Sequence, residues 1–367
     1  MNPLSSEDVY SALATVIDPE LRKPLTDLDM VKSVDVNDTQ IRVTIALTIV
    51  GCPASERIEN DVRQALLELS PERVIQIDLT VMDATARSAL LARLRGNREA
   101  GHPFGPSSLT RVIAVTSGKG GVGKSSVTAN LAVELAARGR RVGVIDADVF
   151  GFSLPALLGI SHLKPTRLDD TIVPPIAHEV KLISIGMFVE PDQAVSWRGP
   201  MLHRTVTQFL SDVYFGDLDV LLLDLPPGTG DVAISIGQLL PHAEVLVVTT
   251  PQRAAASVAI RSAQVARQTG QTVIGVVETM SATTLPDGSH FDLFGEGGGQ
   301  EAADALGVPL LAKIPLSRKL REGGDSGVPV ILGESDDPAA EALRELANAL
   351  EQSRPTLVGV KLPVSAS

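Results

Sequence analysis

One glycine-rich segment of eight residues constrains this chain more than any other feature of its sequence. Residues 118–125 read GKGGVGKS, which fits the phosphate-binding pattern G-x-x-x-x-G-K-[ST]. An apolar run over 112–115 precedes the segment, and a helical pattern follows it. This context suits anion binding, because the N–H groups of such a loop and the N-terminus of the next helix face a phosphate. The sequence therefore predicts a P-loop nucleotide-binding domain rather than a plain glycine-rich turn.

The loop residues predict how a nucleoside triphosphate is held. Lys124 would bridge the β- and γ-phosphates, and the Ser125 hydroxyl would ligate Mg²⁺. Asp224, which closes a second apolar run, adds a carboxylate from further along the chain. The predicted nucleotide-binding residues are Gly118, Lys119, Gly120, Gly121, Val122, Gly123, Lys124, Ser125, Ser126 and Asp224.

Three carboxylates stand at the ends of predicted strands. Asp224 closes the run VLLLD, where a carboxylate can hold Mg²⁺ directly or through water. Asp146 ends a strand predicted over 141–146 and is expected near the metal, whereas Asp148 could orient the attacking water. An aspartate at a strand end is common by itself, and only its occurrence together with the phosphate loop favours a metal role. The predicted Mg²⁺ ligands are Ser125, Asp146 and Asp224.

The same glycines also fit a rival pattern. Gly118, Gly120 and Gly123 match the dinucleotide fingerprint G-x-G-x-x-G, and Asp146 follows about twenty residues later, where a ribose-binding acid would stand. Lys124 and the hydroxyl residue after it count against this alternative, because a nicotinamide cofactor needs neither a phosphate-clamping ammonium nor a metal-binding hydroxyl. The strand that ends at Asp224 also favours the P-loop interpretation.

The distribution of elements predicts two folded regions joined by a linker. Residues 96–109 are rich in Gly, Pro and Ser and lack apolar periodicity, which indicates a flexible linker. Before it, residues 1–95 show the rhythm of a small α/β domain. Residues 110–355 alternate apolar runs with helical patterns, which predicts an α/β fold with a mainly parallel sheet covered by helices on both faces. We assign no structure to the tail, 356–367.

Composition disfavours several classes of partner. Lys+Arg 32 against Asp+Glu 44 leaves a net charge of −12, which disfavours binding to nucleic-acid backbones and anionic membranes. No apolar run approaches the ~18–20 residues of a membrane span, and the N-terminus does not resemble a signal peptide. We therefore expect a cytoplasmic protein with neither nucleic acid nor membrane as partner. The single cysteine, Cys52, excludes an internal disulfide and any site that takes several thiolates from one chain.

Lys119 and two further motifs point to a superfamily. The general loop pattern does not require Lys119; together with DADVFG at 146–151 and DLPPGTGD at 224–231, it makes the domain resemble the deviant Walker A ATPases of the MinD, ParA and nitrogenase iron-protein superfamily. In that superfamily this lysine reaches the partner's phosphates across a nucleotide-sandwich dimer, much as an arginine finger does. The resemblance implies Mg²⁺-dependent ATP hydrolysis by a homodimer, with Lys119, Lys124 and Asp148 as catalytic residues.

Within this superfamily the chain most resembles the Mrp/ApbC-type iron–sulfur cluster carriers. The later motifs that carry the resemblance are WRGPM at 197–201, FGEGGG at 294–299, IPL at 314–316 and REGGDSG at 321–327. Residues 1–95, with DPE at 18–20 and GCP at 51–53, resemble a small domain found in other iron–sulfur assembly factors. The resemblance implies a carrier that transfers iron–sulfur clusters to apoproteins, with cluster scaffold proteins as further partners.

One stretch departs from the family pattern. These carriers usually place Cys-x-x-Cys shortly after a Met-Ser pair, where two subunits would hold a bridging cluster. In this chain Leu285 and Gly288 occupy the expected cysteine positions. Thr279 stands where the family usually has an asparagine that reads adenine.

Cys52 is then the only soft metal ligand in the chain. It precedes Pro53 at a predicted helix N-terminus, where the helix dipole would lower the thiol pKa and favour the thiolate. Any iron–sulfur cluster bound through Cys52 should be labile, because two chains supply only two thiolates. Two alternatives stay open: a small buried cysteine without a metal role, and an ATP-switched interaction or positioning protein of the MinD/ParA type.

Overall fold

The computed structural model describes residues 4–95, 102–149, 151–189, 199–285, 287–333 and 336–353. The predicted tail, the first part of the predicted linker and Trp197 of the WRGPM motif lie outside these residues. The described chain forms two compact units. The first comprises the described residues of Met1–Pro103, Leu163–Ile176 and Thr207–Asp217, and the second those of Phe104–His162, Ala177–Val206 and Leu218–Ser367.

The described residues form the following helices and strands. The helices are α1 (Ser6–Leu13), α2 (Ser55–Leu69), α3 (Ala84–Arg95), α4 (Lys124–Ala137), α5 (Leu154–Leu157), α6 (Gly199–Asp212), α7 (Asp231–Leu239), α8 (Arg253–Gln268), α9 (Gly298–Leu306), α10 (Arg318–Ser326) and α11 (Pro338–Gln352). The strands are β1 (Val31–Val36), β2 (Gln40–Leu47), β3 (Val74–Val81), β4 (Arg111–Ser117), β5 (Val142–Asp146), β6 (Thr166–Leu168), β7 (Thr171–Val173), β8 (Ile176–Ala177), β9 (Val180–Ser184), β10 (Val220–Asp224), β11 (Glu244–Thr249), β12 (Thr272–Ser281), β13 (Thr283–Thr284), β14 (His290–Phe291) and β15 (Leu310–Pro315). Within the described ranges, no helix combines the length and apolarity needed to cross a bilayer.

Local signals explain the start of the first unit. The Ser5 side chain and Asp8 form a capping box at the start of α1. β1 and β2 pair antiparallel through a turn in which the Asn37 side chain accepts hydrogen bonds from the N–H groups of Thr39 and Gln40. β3 then adds in parallel to β2, which completes a sheet in the order β1-β2-β3.

Two segments from the region 110–355 complete the core of this first unit. The hairpin of β6 and β7 contributes Leu168 and Val173, and the segment Thr207–Asp217 contributes Tyr214. The boundaries expected from composition do not include these segments, because composition along the chain carries no information about distant contacts. Phe104, inside the predicted linker, is buried as part of the second unit.

An eight-stranded sheet in the order β15-β12-β11-β4-β10-β5-β9-β8 organises the second unit. The seven strands from β15 to β9 pair in parallel. β5 and β10 are buried at every residue, which explains their nearly unbroken apolar sequences. α4 packs on β10, α8 on β11 and α11 on β15. The predicted α/β class with a mainly parallel sheet is confirmed.

The carboxyl ends of β4, β5 and β10 lie side by side at one edge of this sheet. β10 lies between β4 and β5, and Asp224 pairs in register with Asp146. The phosphate loop leaves β4 at the same edge, because parallel strands present all their carboxyl ends together. Chain topology therefore gathers the loop and both aspartates.

Candidate functional site

The phosphate loop joins β4 to α4 through backbone conformations that favour glycine. Gly121 and Gly123 have φ angles of +75° and +78°, in the left-handed region. Gly123 is the N-cap of α4, so Lys124 and Ser125 form the first turn of that helix. N–H groups in a first turn have no partner within the helix, and they provide donors for an anion at the loop.

Gly118 meets α8 at a distance that leaves no room for a side chain. A Cβ at this position would lie 2.3 Å from the backbone nitrogen of Ala259. Gly118→Ala should therefore displace the loop or α8 and lower the free energy of unfolding by about 1–3 kcal/mol. Gly120→Ala is the matched control, because a Cβ there would contact only Pro227 Cγ at 3.8 Å. Urea unfolding measures both variants, and equal effects would contradict this packing argument.

Three side chains donate hydrogen bonds to Asp224 at the end of β10. Lys124 Nζ and the Ser125 hydroxyl reach its Oδ2 at 2.6 Å and 2.5 Å. The Thr128 hydroxyl reaches its Oδ1 at 2.8 Å. Lys124 Nζ also lies 3.6 Å from the Asp148 carboxylate. The structure thus brings three predicted site residues, Ser125, Asp148 and Asp224, together around the buried Lys124.

Thr128 is a site residue that the sequence motifs did not predict. It lies four residues after Lys124 in α4, so the two side chains share one face of the helix. Its hydroxyl oxygen also lies 3.1 Å from the Lys124 carbonyl oxygen. A hydroxyl residue one turn after the loop lysine was the available signal, and the loop pattern does not include that position.

Burial alters the ionisation of Asp146. Desolvation raises the pKa of this carboxyl group well above its usual range, and the neighbouring Asp224 charge acts in the same direction. The Ser184 hydroxyl donates to Asp146 Oδ2 at 2.9 Å, and the Asp148 N–H donates to Oδ1 at 3.2 Å. Donors from the protein therefore already engage both Asp146 oxygens.

Two adjoining cavities open at the loop. A cavity of about 550 Å³ is lined by the loop together with Asp148 and Pro227. A second cavity of about 640 Å³ shares Gly123, Ser126 and Met280 with the first. Most of its wall is apolar and comes from Val127, Leu285, Phe291, Leu293, Ile314, Leu316 and Leu320. A glycine-lined cavity beside an apolar one fits a molecule with a phosphate end and a planar, weakly polar end.

Thr279 ties β12 to the loop. Its hydroxyl lies 2.5 Å from the Val122 carbonyl oxygen and 3.0 Å from the Thr249 carbonyl oxygen. A hydroxyl has one hydrogen to donate, and both neighbours are acceptors. The donor of Thr279 is therefore directed at the protein backbone.

Lys119 lies apart from the buried carboxylates. Its Nζ donates to Gln252 Oε1 at 3.1 Å, and its side chain is exposed. Gln252 is the N-cap residue of α8. The two loop lysines therefore differ sharply, because Lys124 is buried against carboxylates whereas Lys119 faces outward.

The predicted low pKa of the Cys52 thiol is wrong. Cys52 is 4% exposed, and α2 begins only at Ser55, after the N-cap residue Ala54. Burial raises the pKa of the thiol to about 11, and the charges of Glu20 and Asp18 act in the same direction. Hydrogen bonds from the N–H groups of Ala54 and Ser55 oppose this shift without cancelling it. Cys52 is therefore a protonated thiol at neutral pH.

Leu285 and Gly288, the two positions at which the family resemblance implies cysteine, are joined by a backbone hydrogen bond. They follow β13 and precede β14, and the Gly288 N–H donates to the Leu285 carbonyl at 2.8 Å. Leu285 is partly exposed and contributes to the apolar cavity. Across the described residues, no group of three His, Cys, Asp or Glu side chains is arranged to hold a metal ion.

Family models match both regions of the chain. The model described as NUBPL iron-transfer P-loop NTPase matches residues 108–351, and the model described as iron–sulfur cluster assembly protein matches residues 6–79. A Mycobacterium leprae protein named iron–sulfur cluster carrier protein is 52% identical, over 98% of this chain and 96% of its own length.

Solved structures share the P-loop fold. A nucleotide-binding protein from Archaeoglobus fulgidus in complex with ADP is 35% identical, with a TM-score of 0.54, over 62% of this chain and 90% of that one. The septum site-determining protein MinD from Pyrococcus horikoshii, complexed with Mg-ADP, is 26% identical, with a TM-score of 0.51, over 70% of this chain and 100% of that one. The phosphate loop, the parallel sheet and these matches together show that the chain belongs to the family of iron–sulfur cluster carrier proteins built on a P-loop NTPase.

Proposed function

We propose that this protein binds and hydrolyses ATP with Mg²⁺ and, as a homodimer, carries iron–sulfur clusters to apoproteins. Cluster scaffold proteins are the proposed donors, and the cluster is the cargo. The observation that supports the proposal best is the convergence of Lys124, Ser125 and Thr128 on Asp224 at a glycine loop. These four side chains occur in a chain that belongs to the family of iron–sulfur cluster carriers.

The donor set fits Mg²⁺ beside a triphosphate. The Ser125 hydroxyl and the Asp224 carboxylate lie in contact, and Mg²⁺ prefers such oxygen ligands. Both Asp146 oxygens already accept hydrogen bonds, from Ser184 and from a backbone N–H. Asp146 would therefore orient Asp224 or a metal-bound water and would not ligate Mg²⁺ directly. Bound Mg²⁺ neutralises charge on the phosphates. Lys124 would exchange Asp224 for phosphate oxygens and keep a charge-assisted contact in both states.

Hydrolysis requires a positioned water and further positive charge. Asp148 lines the loop cavity close to Lys124 and would orient the attacking water. Lys119 is exposed beside the same cavity, so a second copy of the chain could receive its ammonium at the γ-phosphate. This arrangement would complete each site only in the dimer, as an arginine finger supplied in trans does.

The cargo would be held loosely. Each chain provides one thiol, Cys52, so a dimer provides two, and further iron ligands must come from outside the protein or from oxygen and nitrogen donors. Binding through a buried, protonated thiol also requires loss of its proton. Both features favour delivery of a cluster over storage.

Anaerobic reconstitution with iron and sulfide tests the carrier role. Wild-type protein should take up an oxygen-sensitive cluster and pass it to an apoprotein, and Cys52→Ser should take up far less iron. Absorbance and iron counting measure the uptake, while phosphate release checks that ATP hydrolysis persists in the variant. A stable, stoichiometric cluster in Cys52→Ser would contradict the assignment of Cys52 as a ligand.

A second candidate is an ATP-switched interaction protein that carries no cluster. Leu285 and Gly288 favour it, because neither residue offers a thiolate. The same reconstitution discriminates between the two candidates. If neither wild type nor Cys52→Ser takes up a cluster while both hydrolyse ATP, the switch is supported and the carrier proposal fails.

A further inference from the structure

The two oxygens of the Asp224 carboxylate have different surroundings. Oδ2 accepts hydrogen bonds from Lys124 Nζ and from the Ser125 hydroxyl, and both of these residues line the loop cavity. Oδ1 accepts a hydrogen bond from the Thr128 hydroxyl at 2.8 Å. Asp224 and Thr128 are both fully buried. One oxygen therefore faces the groups that would meet a nucleotide, and the other is bound within the interior of the second unit.

The Thr128 hydroxyl is committed to Asp224. Its oxygen also lies 3.1 Å from the Lys124 carbonyl oxygen, but a hydroxyl has one hydrogen, and a carboxylate is the stronger of these two acceptors. A threonine in a helix has few side-chain rotamers, so the direction of this donor is restricted. The donor belongs to α4 and the acceptor to β10, and these two elements pack on each other. Packing therefore holds both partners of the hydrogen bond in place.

The three donors to Asp224 would respond differently to a bound nucleotide. Lys124 would exchange Asp224 for phosphate oxygens, and the Ser125 oxygen would become a ligand of Mg²⁺. Thr128 is buried and lies outside the described lining of the loop cavity, so neither phosphate nor metal replaces its contact. When Lys124 leaves, the hydrogen bond from Thr128 is the constraint on Asp224 that stays the same.

We propose that Thr128 is a positioning residue for the Mg²⁺ site: by holding Oδ1 of Asp224, it keeps Oδ2 directed at Ser125 when Lys124 turns to the phosphates. Thr128 itself would touch neither the ion nor the nucleotide. This inference rests on the proposed function, because it concerns the metal site of that function. Hydrogen-bond partners of metal-site carboxylates commonly contribute about 10–100-fold to metal affinity.

The binding of ADP with and without Mg²⁺ tests this role. Isothermal titration calorimetry gives the Kd of ADP in EDTA and in Mg²⁺, and the ratio of the two values reports what the ion contributes. Thr128→Val replaces the hydroxyl with a methyl group and should lower this ratio about tenfold or more. The Kd in EDTA should change little, because Thr128 lies outside the cavity lining. Thr128→Ser restores the hydroxyl and should restore the wild-type ratio.

Thr116→Val is the matched control, because it makes the same chemical change at another buried position of the second unit. The Thr116 hydroxyl lies 2.9 Å from the Ser262 hydroxyl, so its loss leaves the contacts of Asp224 unchanged. The control should lower the urea midpoint and keep the wild-type ratio of Kd values. Thr128→Cys retains a weak donor and should lower the ratio less than Thr128→Val does, and it replaces that variant if the valine prevents folding.

Two results would overturn the positioning role alone. The first is a wild-type ratio in Thr128→Val, and the second is an equal loss in Thr116→Val and Thr128→Val. A different result would overturn the proposed function together with this role: wild-type protein that binds no ADP, or that binds ADP equally well in EDTA and in Mg²⁺. The measurement on the wild type therefore separates the two kinds of failure.

Discussion

Replacement of Lys124 by alanine should weaken the binding of Mg²⁺-ADP by about 100-fold or more, the loss expected when a buried charge-assisted contact disappears. Lys124 is 6% exposed and is positioned by carboxylates on two sides, Asp224 at 2.6 Å and Asp148 at 3.6 Å. The variant loses the ammonium that would meet the phosphates and leaves those carboxylates facing them. Repulsion then adds to the lost attraction. Isothermal titration calorimetry measures the change in Kd.

The control for this experiment comes from the same loop. Lys119→Ala removes an exposed lysine that contacts Gln252 rather than the carboxylates, so nucleotide affinity should change little. Asp224 keeps its donors Ser125 and Thr128 in Lys124→Ala, and circular dichroism should show a folded protein. Binding of Mg²⁺-ADP by Lys124→Ala with the wild-type Kd would contradict the proposed nucleotide site.

Lys119→Ala should bind ATP but lose turnover by about a thousandfold, the lower end of what a charge supplied in trans contributes. The ammonium would stabilise charge that develops in the transition state, so its removal lowers kcat and leaves ground-state binding intact. The exposed side chain has one described hydrogen bond, to Gln252, so folding should not suffer. Phosphate release at saturating ATP measures the effect. Hydrolysis at the wild-type rate would refute the role of Lys119.

Mixing two inactive variants tests whether Lys119 acts in trans. Lys119→Ala retains a nucleotide site but lacks the lysine, whereas Lys124→Ala lacks a functional nucleotide site but retains Lys119. A mixed dimer would combine one intact site with one intact Lys119, and activity should reappear in proportion to the mixed species. If Lys119 acted within its own chain, the mixture would stay as inactive as its components.

Local patterns were sufficient to predict the parallel sheet and the phosphate loop of the second unit, because residues close together in the sequence specify both. A strand that is buried on both faces needs an apolar sequence, and VLLLD at β10 meets that need over the observed range. The loop pattern specifies the left-handed glycines and places Lys124 and Ser125 in the first turn of α4. Parallel strands then bring Asp146 and Asp224 together without further information.

Long-range contacts explain what sequence reasoning missed. The thiol pKa of Cys52 depends on burial in a core that the hairpin of β6 and β7 helps to complete, and no local pattern around Cys52 signals that contribution. The position of α2 also affects the thiol pKa. The helix begins three residues after Cys52, and its dipole lowers the pKa less at that distance. Composition alone could not show that Phe104 belongs to a folded core, because this buried aromatic residue lies within a Gly- and Pro-rich segment.

The three-segment construction of the first unit has a consequence for synthesis on the ribosome. Its N-terminal segment ends at Pro103, but its last contributing segment ends at Asp217. Roughly 110 residues must be added in between, which takes about 6–22 s at about 5–20 residues per second. During that interval the nascent chain exposes the apolar surface that Leu168, Val173 and Tyr214 later cover. A chimeric protein that takes this unit from a relative should therefore also take residues 163–176 and 207–217, because the N-terminal segment alone lacks part of the core.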